Sequence, residues 1–187
     1  MPKQPTYTWT HVNARLRNLE KGDFLLLLHD LYALNADNRL FLTTRLLPGT
    51  PAEMVAPYRK AISQVFNPDR GLPSLQLRVA RKAVNDFKKL CHDPLPVIDL
   101  MLFYVEEGVT CARTYGNLDP AVYQSLASVY LGAAERTANL GDPATTEGLR
   151  PRFAQLVRDA ADLGWGLHDE LINIYLSYLP PDDDELI

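Results

Sequence analysis

Two short clusters in the sequence combine histidine with carboxylates, the residue types that serve in acid–base catalysis and metal binding. They are His29-Asp30 and His168-Asp169-Glu170. Adjacent residues on a helix point about 100° apart, so neither cluster places a ready-made pair on one face. The second cluster falls where a helix is predicted to begin, and the positive end of the helix dipole favours acids there. Helix capping therefore explains these residues better than chemistry does, and we predict no catalytic residue, no metal ligand and no cofactor.

The motifs of the common enzyme classes are absent from the sequence. There is no GxxxxGK[ST] phosphate-binding loop, and Gly164-x-Gly166 lacks the third glycine of a dinucleotide site. Neither HExxH nor GxSxG occurs, and no ExxH pair offers a di-metal site. These absences favour a protein that is not an enzyme, with an unusual enzyme kept as an alternative.

One predicted helix, over residues 75–91, is basic on one side and apolar on the other. The basic residues are Arg78, Arg81, Lys82, Lys88 and Lys89. Such a face could neutralise phosphates, so it is a candidate anion-binding face. Asn85 and Asp86 interrupt it, however, and no aromatic residue is interleaved to stack on bases. A solvated helix face is the simpler interpretation, and nucleic-acid binding is the less favoured one.

Charge is divided unevenly along the chain. Residues 1–92 carry a net charge of +7 and residues 93–187 a net charge of −11, although the whole chain has only −4. The run Asp182 to Glu185 supplies four of the negative charges. Such a division is typical of parts that attract each other, within one fold or between subunits, or of a face that meets an anionic partner.

The elements that must position these residues are all predicted to be helices, because every apolar run follows a spacing of three and four. The predicted helices cover about 10–19, 24–34, 38–47, 51–66, 75–91, 96–116, 120–138, 147–163 and 167–179. Leu25 and Leu26 widen the apolar stripe of the second helix, so we expect that helix to be largely buried. Thr50-Pro51 followed by Glu53 predicts a capping box at the fourth helix.

The helix predicted over Pro96–Gly116 is the expected centre of the fold. Between Val97 and Val105 every residue but Asp99 is apolar, and a helix that is apolar nearly all round belongs among other helices. Charged residues follow too soon for a membrane span. If a buried site exists, we expect Glu107 to face it. Otherwise, we expect Glu106 and Glu107 to pair with arginines of the basic half. The candidate pocket residues are Tyr104, Glu107, Trp165 and Asp169.

These patterns predict an all-α fold of about nine helices in antiparallel hairpins around the central helix, as a compact bundle or a short α-solenoid-like array. We expect a flexible arm over residues 1–9, a single domain over 10–179 and a disordered acidic tail over 180–187. The N-terminal residues lack the apolar core of a signal peptide, and two cysteines are too few for a disulfide scaffold. A cytoplasmic protein without membrane association is the expectation.

Three segments of the sequence resemble a bacterial protein family of unknown function. They are Leu31–Leu34 with Asn38–Leu42 and Arg45, then Met101–Gly108, and finally Gly164–Gly166 with Asp169–Leu171. The resemblance extends from the second helix to the ninth. It implies an all-helical cytoplasmic protein, and it implies no reaction and no partner.

Three functions remain open on the sequence. The favoured one is a non-enzymatic interaction domain that binds a protein partner or a second copy of itself. The second is binding of nucleic acid or another anionic ligand through residues 78–89. The third is a small-ligand carrier or unusual enzyme with a pocket near Tyr104, Glu107 and Trp165.

Overall fold

The protein is described by a computed structural model, which covers residues 7–116 and 118–180. These residues contain nine α-helices and no strand. The helices are α1 Trp9–Leu16, α2 Lys21–Leu34, α3 Ala36–Leu46, α4 Ala52–Phe66, α5 Leu77–Leu90, α6 Pro94–Tyr115, α7 Pro120–Ala138, α8 Pro143–Asp159 and α9 Leu167–Tyr178. The predicted all-α fold is confirmed. The flexible arm and the disordered tail are predictions for residues 1–9 and 180–187, of which residues 1–6 and 181–187 lie outside the described residues.

Helix α6 is the centre of the core, as its apolar sequence predicts. It packs against α4, α5, α7 and α8. Ile98, Leu100, Leu102, Tyr104 and Val105 have no exposed surface. Neighbouring helices therefore cover α6 on several sides, which is what a helix apolar nearly all round requires.

Helices α6 and α7 pack tightly at Gly108. A Cβ atom built on Gly108 would lie 2.2 Å from Cδ2 of Leu126, a side chain that is itself fully buried. Only glycine leaves room for Leu126 at this position. The contact fixes how closely the two longest helices pack.

Two aspartates cap the starts of the two longest helices. Asp119 accepts a hydrogen bond of 2.8 Å from the amide of Ala121 at the start of α7, and Asp93 caps α6 in the same way. The capping box predicted at α4 is wrong, because Pro51 occupies the N-cap position and makes no side-chain cap. The Thr50 hydroxyl lies instead 3.6 Å from Sγ of Cys91.

The prediction that α2 is largely buried is wrong. No residue of α1 or α2 is buried, whereas every helix from α3 to α9 has buried residues. Helix α2 packs on α3, and α3 packs in turn on α5. The apolar pattern of α2 resembles that of α6, but the fold does not place helices around it.

Candidate functional site

The first three helices expose an unusual amount of apolar surface. Thirteen of the fourteen residues of α2 are exposed, and Leu28 is half-buried. We define the N-terminal apolar surface as the exposed large apolar residues of α1 to α3 and the residue that follows α3. They are Trp9, Val12, Phe24, Leu25, Leu26, Leu27, Leu31, Tyr32, Leu34, Phe41, Leu46 and Leu47. This surface is the strongest candidate for a functional site.

Hydrogen bonds hold α2 in a defined position on α3. The side chain of Asn35 caps α3 by accepting from the amide of Asn38 at 2.8 Å. The side-chain amide of Asn38 donates to the carbonyl of Leu31 at 2.7 Å, which links the last turn of α2 to the first turn of α3. The N-terminal apolar surface is thus presented in a fixed orientation at this corner.

Helix α3 joins the N-terminal apolar surface to the rest of the fold. The Thr44 hydroxyl donates to the carbonyl of Leu90 at 3.4 Å, and Arg45 donates to the same carbonyl at 3.3 Å. The Arg45 guanidinium also lies 3.6 Å from the centre of the Phe41 ring. Leu40 is 2% exposed, so α3 contributes one side to the core and leaves the other on the surface.

The summed exposed area of the N-terminal apolar surface, which is spread around α2 and over α1 and α3, is larger than the contiguous apolar patch of a usual monomer. The exposed fractions on α2 range from 39% for Phe24 to 71% for Leu34. With roughly 150–250 Å² for a complete large side chain, the twelve residues expose on the order of 1,000 Å². The largest apolar patch of a typical monomer is about 300–600 Å².

The basic face predicted on α5 is divided by its contacts. Arg81 turns inward and donates to the hydroxyls of Ser125 at 3.1 Å and Ser128 at 3.3 Å. Lys82 forms an ion pair with Asp86 on its own helix. Together with Arg78 and Lys89, these two basic residues line an open groove of about 880 Å³ along α5.

Lys88, the fifth predicted basic residue, faces α7 and lines different cavities. The five residues therefore do not form one uniform face. Anion binding by this face stays a prediction.

The four predicted pocket residues lie in different environments. Tyr104 is fully buried, and its hydroxyl lies 2.7 Å from the Ser125 hydroxyl. Burial raises the pKa of Tyr104, and this hydrogen bond partly offsets the increase. Trp165 is 61% exposed, and the side chain of Asp169 is 86% exposed. None of these residues lines the cavities described here, and a pocket beside them stays a prediction.

The two glutamates at the middle of α6 are paired in part as expected. The carboxylate of Glu107 accepts from the side-chain amide of Asn67 at 2.9 Å. Glu106 accepts from the Nη2 atom of Arg152 at 2.9 Å. Arg152 belongs to the acidic half of the chain, so the expectation that both glutamates pair with arginines of the basic half is wrong.

An ion-pair network that the sequence analysis missed connects α4, α6 and α8. Asp99 on α6 forms ion pairs with Arg59 on α4 and with Arg152 on α8, the latter at 2.6 Å. Burial by itself raises the pKa of Asp99, but the hydrogen bonds and charges of the two arginines outweigh burial and hold it below its ordinary value. The signal in the sequence was Asp99 itself, the one polar residue in the apolar run 97–105.

This network borders a cavity of about 840 Å³. Its walls are largely apolar and its polar groups come from the network and from the start of α6. The lining residues are Thr50, Ala52, Val55, Ala56, Arg59, Asp93, Leu95, Pro96, Asp99, Thr145, Gly148, Leu149 and Arg152. Apolar walls with a few convergent polar groups are typical of small-ligand sites.

Comparisons with known proteins identify no relative. No protein-family model, curated protein or solved structure matches the chain significantly. The resemblance to a bacterial family of unknown function therefore stays a prediction.

Residues 7–116 and 118–180 contain neither a membrane-spanning helix nor a group of metal ligands. They contain no helix that is long and apolar enough to cross a membrane. Within the same ranges, no three side chains of histidine, cysteine, aspartate or glutamate are grouped as metal ligands.

Proposed function

We propose that the protein is an interaction domain that associates with a second copy of itself through the N-terminal apolar surface. The observation that carries the proposal is α2, a helix with an almost entirely apolar run from Phe24 to Leu34 in which no residue is buried. Water-exposed apolar area is unfavourable by roughly 25 cal/mol per Å². Association would remove much of this area from water.

The exposed area is sufficient for a stable interface. Specific interfaces bury about 800 Å² on each partner, and the N-terminal apolar surface exposes on the order of 1,000 Å² of apolar side chain. Two copies that pair across a two-fold axis present the same surface to each other. In that arrangement, α2 and α3 of both copies form a four-helix packing unit, which covers α2 on more than one side.

Charge around the surface is compatible with self-association. Residues 9–47 contain nearly equal numbers of basic and acidic side chains. They are Arg15, Arg17, Lys21, Arg39 and Arg45 against Glu20, Asp23, Asp30 and Asp37. Two copies therefore meet without strong net repulsion, whereas helices that lie on anionic membranes are rich in Lys and Arg on their polar side.

The test is the molar mass in solution, measured by gel filtration with light scattering between about 1 and 100 μM, the range of weak to moderate dimers. We expect a dimer for the native chain and a monomer for the double variant Leu26→Lys with Leu34→Lys. These two side chains are 65% and 71% exposed, so the variant keeps its core. Helical content by circular dichroism checks that it is folded.

The matched control is Leu72→Lys, which replaces an 80% exposed leucine outside the N-terminal apolar surface. The control should remain a dimer. A native chain that is monomeric over the whole concentration range contradicts the proposal, and so does a Leu72→Lys variant that dissociates as readily as the double variant.

A second candidate function is small-ligand binding in the cavity between α4, α6 and α8, supported by its volume of about 840 Å³. Ligand sites in proteins usually measure about 300–1,000 Å³. A thermal-shift screen of metabolites should find stabilisation of the native chain, since a ligand at 100 times its Kd adds about 2.7 kcal/mol. The variant Ala56→Trp, which fills the cavity from an exposed position, should lose the shift. A shift that persists in this variant places the ligand elsewhere, and no shift across a broad library argues against the function.

We further propose a cytoplasmic location. It is supported by Cys91 and Cys111, which are both buried and free. Unpaired cysteines are usual in reducing compartments.

A further inference from the structure

A basic groove lies between α5 and α7 at the C-terminal ends of both helices. A cavity of about 490 Å³ is lined by Lys88, Gly132, Glu135, Arg136 and Asn139, among other residues. A narrower cavity of about 200 Å³ continues from it toward Arg81 and shares Lys88 and Gly132 with it. We define these six residues as the α5–α7 groove.

The cations of the groove have no ionic partner in the part of the chain that the structure describes. Among the described residues, Lys88 and Arg136 form neither an ion pair nor a hydrogen bond, and Arg81 bonds only to uncharged oxygens of Ser125 and Ser128. Burial lowers the pKa of Lys88, and the positive charges of Arg136 and Arg81 lower it further. Glu135 is the only carboxylate among the lining residues of the groove. A bound anion would relieve the repulsion between these cations.

Lys88 and Arg136 each lie in the last turn of their helix, where a cation complements the helix dipole. That effect accounts for each residue separately. It does not account for the arrangement in which both line one groove with Arg81 at its inner end.

The direction of the helices brings the end of α9 to the same place. Arg81 contacts Ser125, and Lys88 lines a cavity with Glu135, so α5 and α7 run in the same direction. The Tyr178 hydroxyl, in the last residue of α9, lies 3.4 Å from Oε1 of Glu135. The chain therefore leaves α9 beside the groove.

The chain beyond α9 is long enough to enter the groove. Glu185 lies seven positions after Tyr178, which corresponds to about 25 Å of extended chain. The groove follows α7 from Ser128 to Asn139, about 16 Å at 1.5 Å per residue. The sequence Asp-Asp-Asp-Glu over residues 182–185 carries four negative charges.

We propose that the α5–α7 groove binds the acidic segment Asp182–Glu185 of the same chain. Charge complementarity and the exit of the chain from α9 support this occupant over an external anion. The segment then occupies the basic site and competes with nucleic acid or acidic peptides for it. The proposal is independent of self-association through the N-terminal apolar surface.

The test compares amide NMR spectra of the native chain with those of a neutralised variant, Asp182→Asn, Asp183→Asn, Asp184→Asn and Glu185→Gln. At low salt we expect shift differences at the amides of the groove residues, such as Lys88, Gly132 and Arg136. They should shrink at about 0.5 M salt because exposed charges are screened. Adding Lys88→Ala with Arg136→Ala to both chains should abolish the differences. Differences confined to the neighbours of the substituted residues overturn the proposal.

The control neutralises two other exposed acids, Asp169→Asn with Glu170→Gln at the start of α9, and should leave the groove amides unchanged. The differences must also be independent of protein concentration. A dependence on concentration would show that the segment binds a second copy, which contradicts binding within one chain.

A competition experiment separates the tethered segment from an external ligand. A synthetic peptide of residues 180–187 should shift the groove amides of the neutralised variant. It should leave the native chain unchanged below the millimolar range, because a short tether gives a millimolar effective concentration. A short DNA duplex that shifts both chains equally at low salt would show a groove open to other anions and would contradict the proposal.

Discussion

Gly108 shows how one residue sets the packing of the two longest helices. Its missing side chain leaves the space that Leu126 of α7 occupies. Leu126 is fully buried, so a displaced side chain must push on its packed neighbours. An added methyl group must therefore displace either the leucine or the helix.

We predict that Gly108→Ala destabilises the protein by about 1–3 kcal/mol, the usual range for an overpacked core. The matched control is Gly148→Ala on α8, where a Cβ atom meets nothing within 4 Å. That substitution should stabilise the protein by roughly 0.5–1 kcal/mol, because alanine favours helix more than glycine does. Urea denaturation of the two variants measures whether the free energy of unfolding falls for Gly108→Ala and rises for Gly148→Ala. Stabilisation by Gly108→Ala would contradict the close approach of α6 and α7.

Arg81 shows that a residue type alone does not define a role. From the sequence it belongs to a basic face, but its guanidinium donates to Ser125, and Ser125 also contacts the hydroxyl of Tyr104. The substitution Arg81→Ala would therefore disturb the packing of α5 on α7 as well as any anion site. Lys88 and Arg136 are better positions at which to test anion binding.

At the scale of elements, Asp99 is the connection between three helices. It accepts hydrogen bonds from Arg59 of α4 and Arg152 of α8. Arg152 also binds Glu106, which lies two turns further along α6. The ring of Phe103 lies 4.5 Å from the Arg59 guanidinium, which adds a cation–π contact on the same side. The network holds α4 and α8 against the centre of the fold.

This network predicts a loss of stability in acid. The two arginines hold the folded-state pKa of Asp99 below its ordinary value of 3.8, so the unfolded chain takes up the proton more readily. The contribution of Asp99 is fully present above the ordinary value. It is lost as the pH falls through the lower, folded-state pKa.

We therefore expect the urea midpoint of the native chain to fall more steeply between about pH 5 and pH 2.5 than that of Asp99→Asn. Neutralising the exposed Asp169 instead should retain the native slope. An Asp99→Asn variant with the same pH dependence as the native chain would show that the network contributes no stability of this kind.

At the scale of the whole molecule, burial is distributed very unevenly. Helices α3 to α9 share one core, whereas α1 and α2 contain no buried residue. A chain of this size can bury about 70% of its unfolded surface, so exposure of a leucine-rich helix is not forced by chain length. The proposed self-association would account for it, because a second copy would then cover α2.

Some charges of the basic half pair with charges of the acidic half within the fold. Arg59 of the basic half pairs with Asp99 of the acidic half. Lys88 of the basic half and Arg136 of the acidic half remain together in the α5–α7 groove. The proposed binding of Asp182–Glu185 would complete the pairing at this end of the molecule.

The helices themselves were predictable from the sequence. Their hydrogen bonds join residues four apart, so spacing, proline and capping residues are enough to locate them. The central position of α6 agrees with the prediction from its apolar residues, whereas the same inference from the apolar pattern of α2 was wrong. Asp119 and Pro120 marked the start of α7 for the same local reason.

Only the tertiary structure decided which apolar helix is covered and which charges meet. Helices α2 and α6 have similar apolar patterns, but burial depends on residues distant in sequence that pack against each of them. The pairing of Glu106 with Arg152 spans 46 positions. Lys88 and Arg136 line one groove because α7 runs beside α5 in the same direction. Local spacing carries no information about such contacts, because they form only when the helices pack.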